Sequence, residues 1–355
     1  STTAIDDYFA LGYVPDDACF LSGVSKLPAG HWLRIECGKP MPAPTRYWDV
    51  SFEPRRHGTP ARLAEEYLAL MRDAVRQRLV ADVPLGAFLS GGVDSSAVVA
   101  LMAEDSRTPV KTCSIGFDVP ELDESVHAEA VARRFATEHH SRIVASDDFS
   151  LIERLAAAFD EPFADASALP TYRVSELARE TVTVALSGDG ADEAFAGYRR
   201  YQMHMAEEAA RRLLPLSIRE PLFGTLGRVY PKLDWAPRFL RAKTSFQAMA
   251  LTAEEAYARS VAVLRAEQRD ALFSPALRQA LGGYRAERRY VETMRAAPAS
   301  DALGRAQYAD LKIALPGDIL TKVDRASMAV SLEAREPLLD HRLIEFAASL
   351  PEALR

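Results

Sequence analysis

Two hydrophobic periods alternate along residues 51–205 of the chain. Apolar side chains recur at helical spacing between residues 61 and 80, which predicts an amphipathic helix. The next apolar run, LGAFLS at 85–90, is short and is followed by two glycines, so it predicts a buried strand that meets a loop. Residues 93–104 then predict a helix that begins with an acidic, hydroxyl-bearing turn.

The alternation of strands and helices continues beyond this point. Further strands are predicted at 110–117, 141–145 and 181–186, and further helices at 123–139, 149–160 and 191–213. Strands separated by such helices predict parallel pairing through right-handed crossovers. Ligands of these sheets bind at the carboxyl ends of the strands, beside a topological switch point. The glycine turns at 90–92 and 187–190 both fall at such ends, so we expect the ligand there.

The two ends of the chain follow other patterns. Residues 1–50 are rich in proline and glycine turns, with a strand-like alternation at 31–36, and predict a domain edge followed by a linker. Residues after about 205 predict mostly helices, with arginine-rich surfaces and proline breaks. The chain therefore divides into three predicted units, at 1–50, 51–205 and 206–355.

Composition narrows the class of protein. The chain is 48% hydrophobic and 26% charged, as soluble globular proteins are, and its formal net charge of -7 argues against a nucleic-acid partner. The three scattered cysteines predict neither a disulfide framework nor a zinc site and fit a reducing cytoplasm. No apolar run approaches the ~18 residues of a membrane helix. The start at Ser1 resembles no signal peptide and lacks an initiator methionine, so we expect a piece of a longer cytoplasmic protein.

The turn SGGVDSS at 90–96 has the small residues of a phosphate-binding loop but a carboxylate, Asp94, in place of a lysine. Small residues at a strand-to-helix turn let backbone N–H groups converge on an anion, and the helix adds its positive end. By itself Asp94 is also explained as a residue of a capped first helical turn. A second turn, SGDGADE at 187–193, repeats the arrangement with Asp189 and Asp192.

Two acidic turns at one sheet edge repel each other and repel a phosphate. A divalent cation removes this conflict, because Mg²⁺ binds one or two carboxylates together with phosphate oxygens. The pattern therefore predicts Asp94 and Asp192 as Mg²⁺ ligands beside a polyphosphate. A loop without the usual lysine is suited to hold the pyrophosphate that leaves when the α-phosphate is attacked.

The loop SGGVDSS resembles the pyrophosphate loop (PP-loop) of the ATP-pyrophosphatase superfamily. Further stretches resemble the synthetase domain of glutamine-dependent asparagine synthetases over roughly residues 51–355: DEPFADASALPTY, ALSGDGADEAFAGYRRY and LPGDILTKVDRASMAVSLEAREPLLDHRLIEFAASLP. The part LPGDILTKVDRASMA is similar to a bacterial branch associated with exopolysaccharide and exosortase gene clusters. The resemblance implies an α/β fold with a doubly wound, parallel five-stranded sheet of the adenine nucleotide alpha hydrolase type and a mostly helical C-terminal part.

The resemblance also implies a reaction with ATP and Mg²⁺, in which the aspartate side chain is adenylated, pyrophosphate leaves, and ammonia displaces AMP to give asparagine. It assigns pyrophosphate binding to the loop residues Ser90, Gly91, Gly92, Asp94, Ser95 and Ser96. It assigns the adenine and ribose pocket to Leu89, Ile115, Ser187 and Gly188, and the metal to Asp94 and Asp192. It assigns candidate catalytic roles to Asp189 and Lys322.

Several assignments stay open at this stage. Asp189 stands where asparagine synthetases often have glutamate and the related β-lactam synthetases resemble tyrosine, which favours intermolecular amide formation over ring closure. The acidic loop after residue 159 faces either the carboxylate substrate that accepts the adenylyl group or solvent. Its candidate residues for the substrate side are Asp160, Glu161, Asp165 and Ser167. The charged group Lys322, Asp324 and Arg325 forms either a structural ion-pair network or, through Lys322, a contact to the phosphates.

The glutamine-hydrolysing half is not expected within this chain. Residues 1–50 resemble the last strands and linker of a glutaminase domain, which works through an N-terminal cysteine, whereas Cys19 is internal. The family usually continues beyond LPEALR, so we expect the C-terminal part to be truncated. Expected substrates are ATP, aspartate or another carboxylate, and ammonia from glutamine, and a homodimer is left open.

Two other functions compete with asparagine synthesis. One is the same adenylation and amidation on another carboxylate, such as a polysaccharide uronate or a peptide side chain, because ATP motifs do not define the acceptor. The other is a degenerate ATP-binding sensor or scaffold. The intact acidic residues of both turns argue against such decay.

Overall fold

The computed structural model describes residues 1–121, 123–145, 149–231 and 243–355. The strands in this part of the chain are β1 (His31–Trp32), β2 (Thr45–Arg46), β3 (Leu85–Phe88), β4 (Lys111–Phe117), β5 (Glu138–Val144), β6 (Val184–Leu186) and β7 (Glu333–Arg335). The helices that precede β6 in the sequence are α1 (Thr2–Leu11), α2 (Pro60–Arg78), α3 (Val93–Asp105), α4 (Ser125–Arg134), α5 (Ile152–Ala158) and α6 (Ala168–Arg179). The later helices are α7 (Ala191–Ala194), α8 (Arg199–Arg211), α9 (Leu216–Val229), α10 (Lys243–Met249), α11 (Ala253–Val261), α12 (Ala266–Leu272), α13 (Pro275–Leu281), α14 (Glu287–Ala296), α15 (Ala302–Lys312), α16 (Thr321–Met328) and α17 (His341–Ser349). A π-helical turn, Leu315–Leu320, joins α15 to α16, and single 3₁₀ turns lie at Phe149–Leu151, Pro337–Leu339 and Glu352–Leu354.

The central sheet has five parallel strands in the order β5-β4-β3-β6-β7. This confirms the predicted doubly wound α/β fold. The chain leaves β3 toward β4 on one side and later returns to β6 on the other, so the switch point lies between β3 and β6. The two glycine turns follow these two strands directly. The two turns are therefore expected to lie side by side at this edge of the sheet.

Helices cover both faces of the sheet. Leu186 is fully buried on the face where α2 and α3 pack, together with Met71 and Val99. Its neighbour Ala185 is equally buried on the opposite face, against Leu177 of α6. Adjacent strand residues point to opposite faces, so burial of both is the pattern of a parallel sheet enclosed on two sides.

Two predicted helices are shorter than expected. The helix predicted at 123–139 ends at Arg134, and Glu138 already pairs with Lys111 as the start of β5. Between them Ala136 has a left-handed backbone, φ 51°, which ends a helix. The helix predicted at 191–213 is broken into α7 and α8, and Ala196 is again left-handed, φ 55°. A side-chain period does not reveal such single-residue breaks.

Two further elements differ from the sequence pattern. The strand-like alternation at 31–36 gives only the two-residue strand β1, which pairs antiparallel with β2. Helix α6 was not assigned from the sequence, although it packs on β4 and β5. The fifth strand of the sheet, β7, also comes from outside the predicted core, from the C-terminal part.

The N-terminal residues pack on the helical part of the chain. Helix α1 contacts α12 and α13, and its Asp6 lies 2.7 Å from Arg269, with both side chains fully buried. A buried pair is costly to break, because removal of one partner leaves an uncompensated charge. The domain limits at 50 and 205 stay predictions. No helix in the described residues is long and apolar enough to cross a bilayer.

Candidate active site

The first loop turns sharply between β3 and α3. Gly91 has φ +82°, and a Cβ there would collide with the backbone of His127 and Ala128 at the start of α4. The hydroxyls of Ser90 and Ser95 lie 3.0 Å apart, and the Gly92 N–H donates to Ser90 Oγ at 3.3 Å. Glycine is therefore required at position 91, and the loop presents its donors in a compact turn at the amino end of α3.

The second loop lies directly against the first. A Cβ on Gly188 would stand 2.7 Å from the Ser95 nitrogen and 3.1 Å from the Asp94 carbonyl carbon. The Ser187 N–H donates to the Arg335 carbonyl at 2.8 Å, which continues the pairing of β6 and β7, and its hydroxyl donates to Asp189. The absence of a side chain at position 188 is what lets the two acidic loops touch.

The acidic residues of the two loops influence one another. Burial raises the pKa of Asp94, and the charges of Asp192 and Asp189 raise it further. Burial likewise raises the pKa of Asp192, with Arg200 acting in the opposite direction and Asp189 in the same one. Both shifts mean that the ionised carboxylates repel each other and are partly removed from water. A cation between them relieves both effects.

The described residues hold no group of three or more His, Cys, Asp or Glu side chains placed to bind a metal ion. The predicted pair of carboxylates is smaller than such a group, because Mg²⁺ commonly takes only one or two protein carboxylates and completes its shell with phosphate oxygens and waters. The donors that fit it are Asp94 and Asp192. Their role as ligands remains a prediction.

A cleft of about 250 Å³ opens beside the first loop. Three of its lining residues were predicted for the nucleotide: Leu89, Ser90 and Ile115. The sequence reasoning missed its opposite wall, which includes Pro170, Thr171 and Val174 of α6. Ser187 and Gly188 lie at the neighbouring loop contact. The motif gave no signal for α6, because those residues approach the cleft only through the folding of the chain around the sheet.

Two partly buried carboxylates, Glu336 and Asp318, were also missed. Glu336 follows β7, and burial together with the nearby charge of Asp189 raises its pKa to about 7. Asp318 lies in the π-helical turn, and burial together with Asp165 raises its pKa to about 6, although Lys322 opposes the shift. Its Oδ1 has no hydrogen-bond partner among the described residues. Titratable groups with such shifts cluster at functional sites.

The predicted acceptor-side residues divide into three environments. Lys322 Nζ lies 3.0 Å from Asp165 Oδ2 and 2.8 Å from Ser167 Oγ. Asp160 pairs at 2.6 Å with Arg325, which also pairs with Asp324, at the surface. Glu161 instead faces the N-terminal residues. The charged group of α16 therefore makes two separate sets of ion pairs.

The side chain of Lys322 is nearly buried, and its charge influences the ionisation of its partner Asp165. Burial acts to raise the pKa of Asp165, but hydrogen bonds from Ser167 and the charge of Lys322 lower it below its usual value. Ser167 donates to Asp165 through both its N–H, at 2.8 Å, and its hydroxyl, at 2.6 Å. These contacts favour a positioning role for Lys322 in the arrangement described, and they leave its proposed catalytic role untested.

Comparison with known proteins identifies the family of this chain. The model of the asparagine synthase family matches residues 66–355. The chain belongs to the asparagine synthase family. The matched residues include both loops, the cleft beside the first loop and Lys322 of α16.

Among the relatives of the chain, some are named asparagine synthetases and others are named amidases. A protein of Mycobacterium tuberculosis named "Putative asparagine synthetase [glutamine-hydrolyzing]" is 33% identical over 98% of the chain and 52% of its own length. Asparagine synthetase 1 of Bacillus subtilis is 27% identical over 99% of the chain and 54% of its own length. An amidase of Penicillium rubens is 26% identical over 95% and 53%. The chain thus spans about half the length of the curated relatives it matches.

Proposed function

We propose that the chain is the ATP-dependent amide-forming part of an asparagine synthetase, with Mg²⁺ as its metal and the cytoplasm as its location. One observation carries the proposal: Gly188 brings the acidic loop of β6 into backbone contact with the phosphate-type loop of β3. This contact supports a shared site at the switch point of the sheet, where the charges of Asp94 and Asp192 act on each other beside the cleft of about 250 Å³. A loop pair of this kind is suited to hold pyrophosphate with its cation.

The proposed chemistry has two steps. An aspartate side-chain oxygen attacks the α-phosphorus of ATP, and the bond to pyrophosphate breaks. Ammonia then attacks the acyl carbon, AMP leaves with the bonding electrons, and one proton leaves the nitrogen. Asp94 and Asp192 are the residues that would hold Mg²⁺, and the bound ion would supply positive charge beside the departing pyrophosphate. The N–H groups of Gly91 and Gly92 belong to the loop that surrounds it.

Asp189 is the proposed acceptor of the amide proton. The Ser187 hydroxyl donates to its carboxylate and fixes its direction, and Ser187 is itself fixed by the Arg335 carbonyl. A general base acts only when it is held within hydrogen-bond reach of the proton that it removes. The nearby Glu336 keeps a second carboxyl group, of raised pKa, beside Asp189.

A second candidate uses the same chemistry on another carboxylate. The relative in Penicillium rubens is named an amidase rather than an asparagine synthetase, which supports a family whose acceptors differ. The acceptor side here is lined by Asp165, Ser167 and Lys322, which are already paired with each other. Ammonia for either reaction would come from glutamine in the complete protein.

The test is to measure pyrophosphate and AMP release by the full-length gene product with Mg·ATP and ammonium, with and without L-aspartate. We expect aspartate-dependent release of both products and formation of asparagine. Release that ignores aspartate would support another carboxylate. No release, despite tight ATP binding, would support the degenerate sensor instead.

A matched pair of variants tests the metal assignment. Asp94→Asn removes one proposed Mg²⁺ ligand at constant size, and Asp82→Asn makes the same change at an exposed position before β3. We expect Asp94→Asn to lower pyrophosphate release by about 10²-fold or more while the circular dichroism spectrum is kept. Full activity of Asp94→Asn would contradict the assignment.

A further inference from the structure

The loop at 160–167 is held from two opposite sides. On one side Lys322 of α16 binds Asp165 and Ser167. On the other side the residues that follow α1 bind the same loop: the Ala164 N–H donates to the Gly12 carbonyl at 2.8 Å. The loop is therefore a bridge between the N-terminal segment, residues 12–26, and the proposed acceptor side.

Glu161 makes the polar part of the N-terminal contact. Its Oε1 accepts the Phe20 N–H at 2.5 Å, and its Oε2 lies 2.5 Å from Lys26 Nζ. Lys26 also donates to the Val14 carbonyl at 3.1 Å. Burial acts to raise the pKa of Glu161, but Lys26 and Phe20 lower it, so the carboxylate is ionised in this arrangement.

The apolar part of the same contact lies two residues further on. Phe163 stacks on Phe159 with ring centroids 4.5 Å apart, and it packs against the buried cluster that contains Leu11 and Tyr13. The N-terminal part therefore holds the loop by a backbone hydrogen bond, an ion pair and the apolar packing of Phe163.

The loop also leads directly into the nucleotide cleft. Helix α6 begins at Ala168, and the Thr171 hydroxyl donates to the Ser167 carbonyl at 2.8 Å. Thr171 itself lines the cleft. A shift of the loop therefore moves Asp165 and its contact to Lys322 directly, whereas it acts on the cleft wall through the hydrogen-bonded start of α6.

We propose that Glu161 is a positioning residue that docks the loop at 160–167 onto residues 12–26 and so sets the affinity for the acceptor carboxylate rather than for ATP. This inference rests on the proposed function. Lys26 and Glu161 keep side-chain exposures of 31% and 15%, so their ion pair is partly screened and its loss leaves the fold intact. Loss of the Lys26–Glu161 ion pair instead changes the position of the Asp165–Lys322 pair.

The experiment compares Glu161→Gln, Lys26→Met and the double variant with the wild type, using L-aspartate as the acceptor and Mg·ATP. Each single change should raise the KM for L-aspartate by about fivefold, with the KM for Mg·ATP unchanged. The double variant should resemble the single ones, because each change already removes the same Lys26–Glu161 ion pair. The matched control is Lys39→Met, which removes an exposed ion pair to Glu36 on the same N-terminal part.

A second measurement does not depend on turnover. Amide hydrogen exchange at residues 162–167 should become faster in Glu161→Gln and stay unchanged in Lys39→Met. Unchanged exchange, or equal increases in the KM for both substrates, overturns the inference. If the wild type itself releases no pyrophosphate with L-aspartate, the proposed function fails, and the exchange measurement alone then decides whether Glu161 docks the loop.

Discussion

Gly188 and Ser95 are in backbone contact across the switch point of the sheet, and a Cβ on Gly188 would stand 2.7 Å from the Ser95 nitrogen. The atoms on the far side of this contact belong to the main chain at the start of α3, so no flexible side chain can move aside. The distance between the two acidic loops is thus set by the missing side chain at position 188.

Gly188→Ala is expected to separate the loops and raise the KM for Mg·ATP by about tenfold or more, because small displacements in a phosphate site are costly. The measurement is the rate of pyrophosphate release against ATP concentration. Gly224→Ala is the control, since among the described residues a Cβ there meets only Ala250, at 4.0 Å. An unchanged KM in Gly188→Ala would show that the loops tolerate separation.

Lys322→Met is expected to destabilise the protein by about 3 kcal/mol, because it leaves Asp165 charged and partly buried without its cation. Arg325→Met, one turn further on and exposed, should change the stability by under ~1 kcal/mol. Adding Asp165→Asn to Lys322→Met should restore the urea unfolding midpoint.

The same double variant separates the two roles of Lys322. We expect its pyrophosphate release to stay at least about tenfold low, because the variant lacks the cation that the proposed catalytic role of Lys322 requires. Recovery of both the unfolding midpoint and the rate would assign Lys322 a purely structural role.

Glu336→Gln tests the carboxylate beside Asp189. The folded-state pKa of Glu336 is raised to about 7 from the usual 4.5, so the folded state binds more protons between these values and its stability falls as the pH rises through them. The variant lacks this ionisation. Its stability relative to the wild type should therefore increase by about 3 kcal/mol between pH 4.5 and pH 8.

The measurement for Glu336 is urea unfolding at both pH values. Glu333→Gln provides the comparison, because that side chain is exposed and lies on β7, three residues before Glu336. A Glu336→Gln curve parallel to the wild-type curve would mean that the carboxyl group ionises as it does in water.

His204→Gln tests acid sensitivity in the helical part. His204 is buried against the Tyr257 ring, and burial lowers its pKa from 6.5 to about 4, with Glu208 opposing the shift. The unfolded chain therefore binds the proton first, and wild-type stability falls as the pH decreases from 6.5 toward 4. The loss attributable to this residue is about 3 kcal/mol.

The thermal midpoint of His204→Gln should depend less on pH than the wild-type midpoint between pH 6.5 and pH 4.5. His57→Gln, at an exposed position, should leave the wild-type dependence unchanged. Equal pH dependence in all three proteins would exclude His204 as a source of acid sensitivity.

Residues close together in the sequence carried most of the successful predictions. The turns at 90–92 and 187–190 predicted the ends of two strands, and the helices between the strands predicted parallel pairing. Failures occurred where one residue changed the backbone, as at Ala136 and Ala196, because a left-handed residue leaves the hydrophobic period intact. The site assignments stay predictions, apart from the contacts that bring the two loops together.

The phosphate-type loop, its acidic partner and the α/β pattern that joins them could be predicted from the chain, because each depends on residues that are close in sequence. The pairing of β7 with β6, and with it the approach of Glu336 to Asp189, follows from the folded arrangement alone. That arrangement also placed Glu161 on Lys26, 135 positions away. Such pairings depend on burial and charge balance across the whole fold, and no local period in the sequence records them.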